Sequence, residues 1–503
     1  MFTQKEIDDL IEEALKEGYK KFCDKKYEAV VVIIEQVLKI NPDNHSALQL
    51  LATAYHALKR NDDAKEYFNK CLAIEPDNPE TLNNIALSHS NSREYKKSIK
   101  ILKKAIKLKP DSSSLYANLG LQYRHLEDYD NAIKYFELAL KIQELPTTLA
   151  MLGGCYGELK RLDLAEEYTR RALCIDPNFA AAHIDLASIL QLKGQWIEGF
   201  KEYEWRFNVF EQLEMWEKIY SPEKKWDGRN ISGKKLIVHT EQGNGDALQF
   251  SRYLKILKDM DIHVTFHCSE VLAELFKGFA DEIFCLDPLK IPSWKDRTIL
   301  DIVPQHDFHC SVLSLPHLLN HPPIPQTPYI FAKKSVDMSK YDGLFKIGIA
   351  WAGNPQHPND RHRSCHLKFF REIYNLPNVK LFSLMKDIRP RTYDGSAVID
   401  LNEDTNDMKI IDMSPMMNNY SDTASIINSL DLIVSVDTSI VHLAGAMNKP
   451  TICLLAWNPD WRWMLEGKET AWYSSVKLIR QSKKGIWEDV FESALTEVKK
   501  LSV

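Results

Sequence analysis

The sequence predicts two kinds of structure in series: an all-helical array of stacked repeats, followed by two parallel, doubly wound α/β layers facing a cleft. Three observations predict it. Pro42, Pro76 and Pro110 recur at a spacing of 34 residues, a period that calls for paired helices. From Lys235 onward, short apolar runs rich in β-branched residues alternate with helical stretches, the pattern of parallel α/β layers. A proline cluster, HPPIPQTPYIF at 321 to 331, breaks that alternation before it resumes at Lys346. A chain of 503 residues is long enough for two or three domains.

The helical array is expected over residues 1–208. Gly18, Ala52, Ala86, Gly120, Gly153 and Ala187 keep steps of 34 or 33, and a second small series follows twelve residues on: Ala64, Ser98, Ala132, Ala165 and Gly199. Small side chains at such positions let the two helices of a pair approach closely. Tyr55, Tyr123 and Tyr156 follow the first series by three residues, Ala105, Ala139 and Ala172 follow the second by seven, and Asp43, Asp77 and Asp111 follow the first three prolines, with Pro177 later. Together these positions resemble the tetratricopeptide repeat, six times over about residues 6–208, the last running into Glu202-Tyr-Glu-Trp-Arg206. The resemblance implies a superhelix whose concave face binds a partner segment; it does not imply catalysis.

A connector is expected at 209–233, where WEKIYSPEKKWDGRNISG differs from the helices before and the strands after it. The first α/β layer, 234–325, reads KLIVHT, DALQFSRYLKILKDM, HVTFHC, EVLAELFKGF, EIFCL, DFHCSV and SLPHLLN. After a linker at 326–345, the second, 346–503, reads KIGIAWAG, HLKFFREIY, KLFSLMK, KIIDMS, SDTASIINSL, DLIVSVD, SIVHLAGAM and TICLLAW, with a closing amphipathic helix WEDVFESALTEVKKL. Such layers bind ligands beyond the carboxyl ends of their strands.

Composition narrows the function classes. The net charge of -6 carries no basic block, so nucleic acid is not an expected partner. The acidic start MFTQKEIDDLIEEALKEG lacks the cationic end and apolar stretch of a secretory signal, no run reaches membrane-spanning length, and a cytoplasmic location is expected. Nine scattered cysteines without a C-x-x-C pair read as reduced core thiols. Asp128-Tyr-Asp130 lies in a repeat turn and His317 and His321 form an isolated pair, so no metal site is expected.

Five stretches carry candidate chemistry. In EQGNGDALQF, Gly243, Gly245 and Asp246 sit where a strand hands over to a helix; Asp246 suits either a general base or the cap of that helix. The third glycine of a dinucleotide fingerprint is missing. In DLIVSVDTSIVHLAGAM, Asp437 ends a strand and Thr438 and Ser439 open the helix bearing His442. Such a helix start suits a diphosphate, and the same residues suit an ordinary cap. The loop GIAWAGNPQHPNDRHRSCH offers Asn354, His357, Arg361 and Arg363, and Lys386 ends the strand KLFSLMK; these cations suit phosphate or remain solvated. Trp461 and Trp463 in NPDWRWM suit stacking on a base or sugar, or core anchoring.

Together VHTEQGNGDALQFSRYL, GIAWAGNPQHPNDRHRS, VDTSIVHLAGAMNKP and NPDWRWM resemble tetratricopeptide-repeat glycosyltransferases whose catalytic half is heptosyltransferase-like, from about Gly194 through Arg480. The architecture is also similar to that of O-linked N-acetylglucosamine transferase. The resemblance implies a GT-B half of two Rossmann-like domains and inverting, metal-independent transfer from a nucleotide-sugar, with no cofactor. It places the family's G-x-G-D signature on Gly243, Gly245 and Asp246, the last as candidate base, with His239 or His442 as alternatives. Its D-[TS]-x-x-x-H signature falls on Asp437, Thr438 and His442, at the nucleotide-sugar site; with the polar and cationic residues named above, the expected donor-binding set is Asn354, Arg361, Arg363, Lys386, Asp437, Thr438, Ser439 and His442. With the repeats as acceptor-binding element, the expected reaction is O-glycosylation of protein Ser or Thr, with a bacterial surface protein such as flagellin as acceptor. The alternatives are transfer to a lipid-linked or growing glycan, and a non-catalytic repeat scaffold with a degenerate α/β half.

Overall fold

The computed structural model describes residues 3–210, 213, 216, 219–286, 302–321, 327–357, 359–386, 392–393, 397–398 and 407–502. Parts of the expected connector, of the segment before Asp307 and of the proline-rich linker, including 322–326, lie outside these residues. The chain divides into two compact units, Met1–Ala182 and His183–Val503.

The first unit is a helical solenoid of antiparallel pairs, beginning with Gln4–Cys23 and Tyr27–Ile40 and reaching Pro146–Glu158 and Leu162–Ile175. The small-residue series explains the pairing. A Cβ added at Gly18 would lie 2.8 Å from Ile34, at Gly120 2.9 Å from Phe136, and at Gly153 2.7 Å from Thr169. Ile34, Phe68, Leu102 and Phe136, themselves 34 apart, are buried, and each large side chain so covered contributes about 1.5–3 kcal/mol. The tyrosines at the crossings meet a partner twelve residues on, Tyr123 with Tyr135 at 5.4 Å and Tyr156 with Tyr168 at 5.5 Å between ring centres. After the proline turns, Asn44 and Asn78 cap the next helices by accepting from Ala47 N and from Glu80 and Thr81 N.

The second unit holds two parallel sheets. β1 (Lys235–His239), β2 (His263–His267), β3 (Glu282–Phe284) and β4 (Phe308–Ser311) lie in the order β3-β2-β1-β4. The larger sheet contains β5 (Phe345–Ala350), β6 (Val379–Ser383), β9 (Ile411–Asp412), β10 (Leu432–Val436), β11 (Thr451–Leu455) and β12 (Val476–Arg480), in the order β12-β11-β10-β5-β6-β9. Two short strands, β7 (Thr392–Tyr393) and β8 (Ala397–Val398), pair apart from both. Both sheets start from a central strand, add strands to one side, then cross to the other. The direction reverses between β1 and β4 in one and between β5 and β10 in the other, which is the doubly wound arrangement.

The strands β10 and β11 are buried throughout, as their nearly continuous apolar runs require. β12 is an element that the sequence reading above does not anticipate. Its apolar residues alternate with Lys477, and Val476 and Leu478 are covered while the lysine is not, so it is an edge strand without a continuous apolar run.

Candidate functional site

The loops after β1, β5, β6 and β10 converge on one cavity of about 720 Å³. From the first sheet it is lined by Gln242, Gly243, Asn244, Gly245 and Asp246; from the second by Ala352, Gly353, Asn354, His357, Arg363, Lys386, Asp437, Thr438, Ser439 and His442. The cavity therefore lies at both reversal points, where doubly wound sheets leave a crevice. Arg361, on the short turn Asp360–Arg363, is exposed and is not among the lining residues, and neither is His239, which is buried in β1.

The two walls meet through helices. Asn244–Phe250 packs against Ser439–Ala446, and a Cβ on Gly245 would stand 3.0 Å from His442 Cδ2. Gly245 thus eases a close helix crossing, whereas a Cβ on Gly243 would make only ordinary contact with Asp246, at 3.4 Å.

Asp246 is both a cap and a cavity residue. Its Oδ2 accepts from Gly243 N at 2.9 Å, and its Oδ1 accepts from the Arg462 guanidinium. Burial raises its pKa above the ordinary carboxylate value, and the charge of Arg462 opposes that rise. His442 shares a 2.9 Å hydrogen bond with Tyr473 Oη and stacks on Trp463. Burial, then the charges of Arg462, Arg252 and Arg363, holds it neutral, well below the ordinary histidine value. Asp437 is raised by burial and by the neighbouring Asp460 charge.

The second wall presents positive groups. Thr438 is the N-cap of Ser439–Ala446 but makes no side-chain capping bond; its hydroxyl contacts Ser435 Oγ at 3.2 Å. Ser439 Oγ accepts from Tyr420 Oη at 2.8 Å. Arg363 pairs with the buried Asp360 at 3.5 Å and packs where a Gly353 Cβ would lie 2.5 Å from its Nη2. Lys386 Nζ donates to the Met417 carbonyl.

Three cavity features escape the sequence reading. Arg462 and Asp460 lie in the turn NPDWRWM, whose tryptophans draw attention first; a charge flanked by two buried tryptophans was the available signal. The turn Asn418-Asn419-Tyr420 has no distinguishing pattern and enters the cavity because Asn419 caps Tyr420–Asn428 there.

Parallel sheets with a cavity at the reversal of strand order make a doubly wound α/β architecture, in which ligands bind at that crevice. Residues 392–484 match the glycosyltransferase family 9 (heptosyltransferase) model, and residues 24–80, 79–112, 113–144 and 146–179 match tetratricopeptide-repeat models. The chain is 22% identical over 369 residues to Protein FlbA of Caulobacter vibrioides, covering 67% of this chain and 60% of that protein. It thus spans less than two thirds of this relative's length. Among solved structures, the repeats are similar to TTC0263, a thermophilic TPR protein of Thermus thermophilus (24% identity, 36% of this chain and 98% of that one, TM-score 0.34). They are also similar to pilF of Pseudomonas aeruginosa (18% identity, 41% and 93%, TM-score 0.36). The chain joins tetratricopeptide repeats to a glycosyltransferase family 9 segment, the combination that its motifs resemble.

Proposed function

We propose that the chain is a glycosyltransferase with a GT-B catalytic half, moving a sugar from a nucleotide-sugar to a protein hydroxyl, on Ser or Thr. The observation that carries this reading is one cavity in which an acid of the first sheet, Asp246, faces the uncapped helix start and the cations of the second, Arg363 and Lys386. The family 9 match over 392–484 supports the class of reaction.

In this reading Asp246 takes the proton of the acceptor hydroxyl as its oxygen attacks the anomeric carbon. The bond from that carbon to the nucleotide diphosphate breaks on the opposite side, which inverts the configuration. The negative charge leaving with the diphosphate meets Arg363, Lys386 and the free N–H groups after Thr438. These groups supply positive charge at the leaving group, so the reading calls for no metal ion. The repeats support a protein acceptor, and a bacterial surface protein such as flagellin fits that chemistry; location in the cytoplasm, where nucleotide-sugars are made, belongs to the same proposal.

The test is to incubate the full chain with a panel of nucleotide-sugars and a bacterial lysate, following nucleotide release and the masses of acceptor proteins. Turnover with protein mass increase is the expected result. Turnover that modifies only lipid-linked glycans overturns the protein acceptor, and no turnover with any donor leaves the scaffold reading in place. Asp246→Asn is expected to lower transfer by about 10²–10⁴-fold, the usual contribution of a general base, while nucleotide affinity is retained.

A further inference from the structure

Arg462 makes more contacts than a cavity wall requires. It is 8% exposed, at the turn Trp461–Trp463. Its Nε donates to Gln249 Oε1 at 2.7 Å, Nη1 to Asp460 Oδ1 at 2.8 Å, and Nη2 to Asp246 Oδ1. The guanidinium lies 4.1 Å from the centre of the Trp461 ring, which fixes its plane. Asp460 is fixed in turn, because its Oδ1 also accepts from Arg462 N at 3.0 Å.

Each oxygen of Asp246 therefore has one protein donor: Gly243 N holds Oδ2 from its own loop and Arg462 holds Oδ1 from the other sheet. The charged and titratable groups acting on this acid are Arg462 and Asp460 from the turn after β11 and His357 from the loop after β5; His442, on the helix packed against that of Asp246, lies beside Gly245. Arg462 is the cation in contact with it, and Asp460 competes for that cation.

From this geometry we infer that Arg462 is a positioning residue that aims Asp246 into the cavity and, by dividing its charge between Asp246 and Asp460, sets how readily Asp246 takes a proton. The inference rests on the reading of Asp246 as base. It gives the turn NPDWRWM a role in proton transfer without contact with the reacting atoms. A guanidinium held by two acids leaves Asp246 more basic than a private ion pair would. It also fixes the carboxylate in one orientation, since Arg462 is immobilised by four other contacts.

The two partners act with opposite sign. Removing the cation disfavours ionised Asp246, so Arg462→Gln moves its titration to higher pH; removing the competing acid frees the cation, so Asp460→Asn moves it to lower pH. Each displacement is expected to reach about one pH unit, the lower end for a charge in direct contact. Arg462→Lys keeps the charge and loses the fork, so the titration stays near its original position while kcat falls and KM for the donor changes little.

The test uses the full chain. The ionisation of Asp246 is followed by infrared difference spectra of each chain minus its Asp246→Asn counterpart, at the carboxylate stretch, across the acid and neutral range. Where the nucleotide-sugar panel gives turnover, the acid limb of kcat is compared in the same variants. Opposite displacements in Arg462→Gln and Asp460→Asn support the inference, and an unmoved titration in both overturns it. If Arg462→Gln does not fold, the downward shift in Asp460→Asn decides alone. A displaced titration with an unmoved acid limb removes Asp246 as the base, which is a failure of the proposed function and leaves the hold of Arg462 on Asp246 standing.

Discussion

The cavity has two walls of the same local design, strand, loop and helix, and they are finished differently. On the first wall the acidic and amide side chains of the loop after β1 are held by hydrogen bonds. Arg206, fully buried, donates to Glu241 at 2.7 Å, to Glu204 at 2.7 Å and to Ser314 Oγ at 2.7 Å, Gln242 donates to Tyr203 Oη at 2.8 Å, and Asp246 closes the helix start. On the second wall Thr438 stands at the cap position without capping, and Lys386 meets only a carbonyl among its described contacts. A closed network fixes the orientation of one acid. An open helix end keeps its N–H groups available to an anion. In the proposed reading, the first sheet therefore handles the proton and the second holds the phosphate.

The largest effect on this contrast should come from the first wall. Arg206→Ala leaves Glu204 and Glu241 facing each other without their cation, and burial already raises the pKa of Glu241. Breaking a buried ion network from one side costs about 3–5 kcal/mol, so denaturant unfolding of the variant should show a loss of that order. A loss below about 1 kcal/mol would show that the loop does not depend on the network. Next in size is Gly245→Ala, whose Cβ must displace the His442 ring across the helix crossing. A cost of about 1–3 kcal/mol is expected for such overpacking, against about 0.5 kcal/mol or less for Gly243→Ala, where φ is -74° and space remains. Equal losses at the two glycines in thermal unfolding would remove the crossing as the reason for Gly245.

Much of the fold is legible in the sequence because its signals are periodic. The solenoid repeats small residues at helix crossings, and the buried strands β10 and β11 show as nearly continuous apolar runs. The edge strand β12 does not, since the partly buried Lys477 and Arg480 interrupt its apolar residues. The site is legible where a residue type has few uses, as with Asp246, Asp437 and Lys386, which all line the cavity. It is illegible where partners are distant in the chain. Arg462 and Asp246 are 216 residues apart, and Arg206 and Ser314 are 108 apart, so no local pattern could reveal either contact. The same distance hides the reason for Gly245: its spacing resembles a ligand-binding glycine, and its neighbour is His442.

The smallest expected effect is the sharpest test of the open wall, because it compares two helix starts in one cavity. The Asn419 side chain caps Tyr420–Asn428, accepting from Ser421 N at 2.8 Å and Asp422 N at 3.0 Å, whereas the Thr438 side chain makes no such bond to its helix. Asn419→Ala should therefore cost about 1 kcal/mol in stability. Thr438→Ala loses only the 3.2 Å contact with Ser435 and should cost less than about 0.5 kcal/mol. The order is expected to reverse when binding of a nucleoside diphosphate such as UDP or GDP is measured by calorimetry. Thr438→Ala removes a hydroxyl beside the free helix start and should weaken binding about tenfold, the worth of one hydrogen bond to a charged group. Asn419→Ala should change it less. A Thr438→Ala chain that loses stability as Asn419→Ala does, and binds nucleotide unchanged, would make the start of Ser439–Ala446 an ordinary cap and leave Arg363 and Lys386 alone to hold the diphosphate.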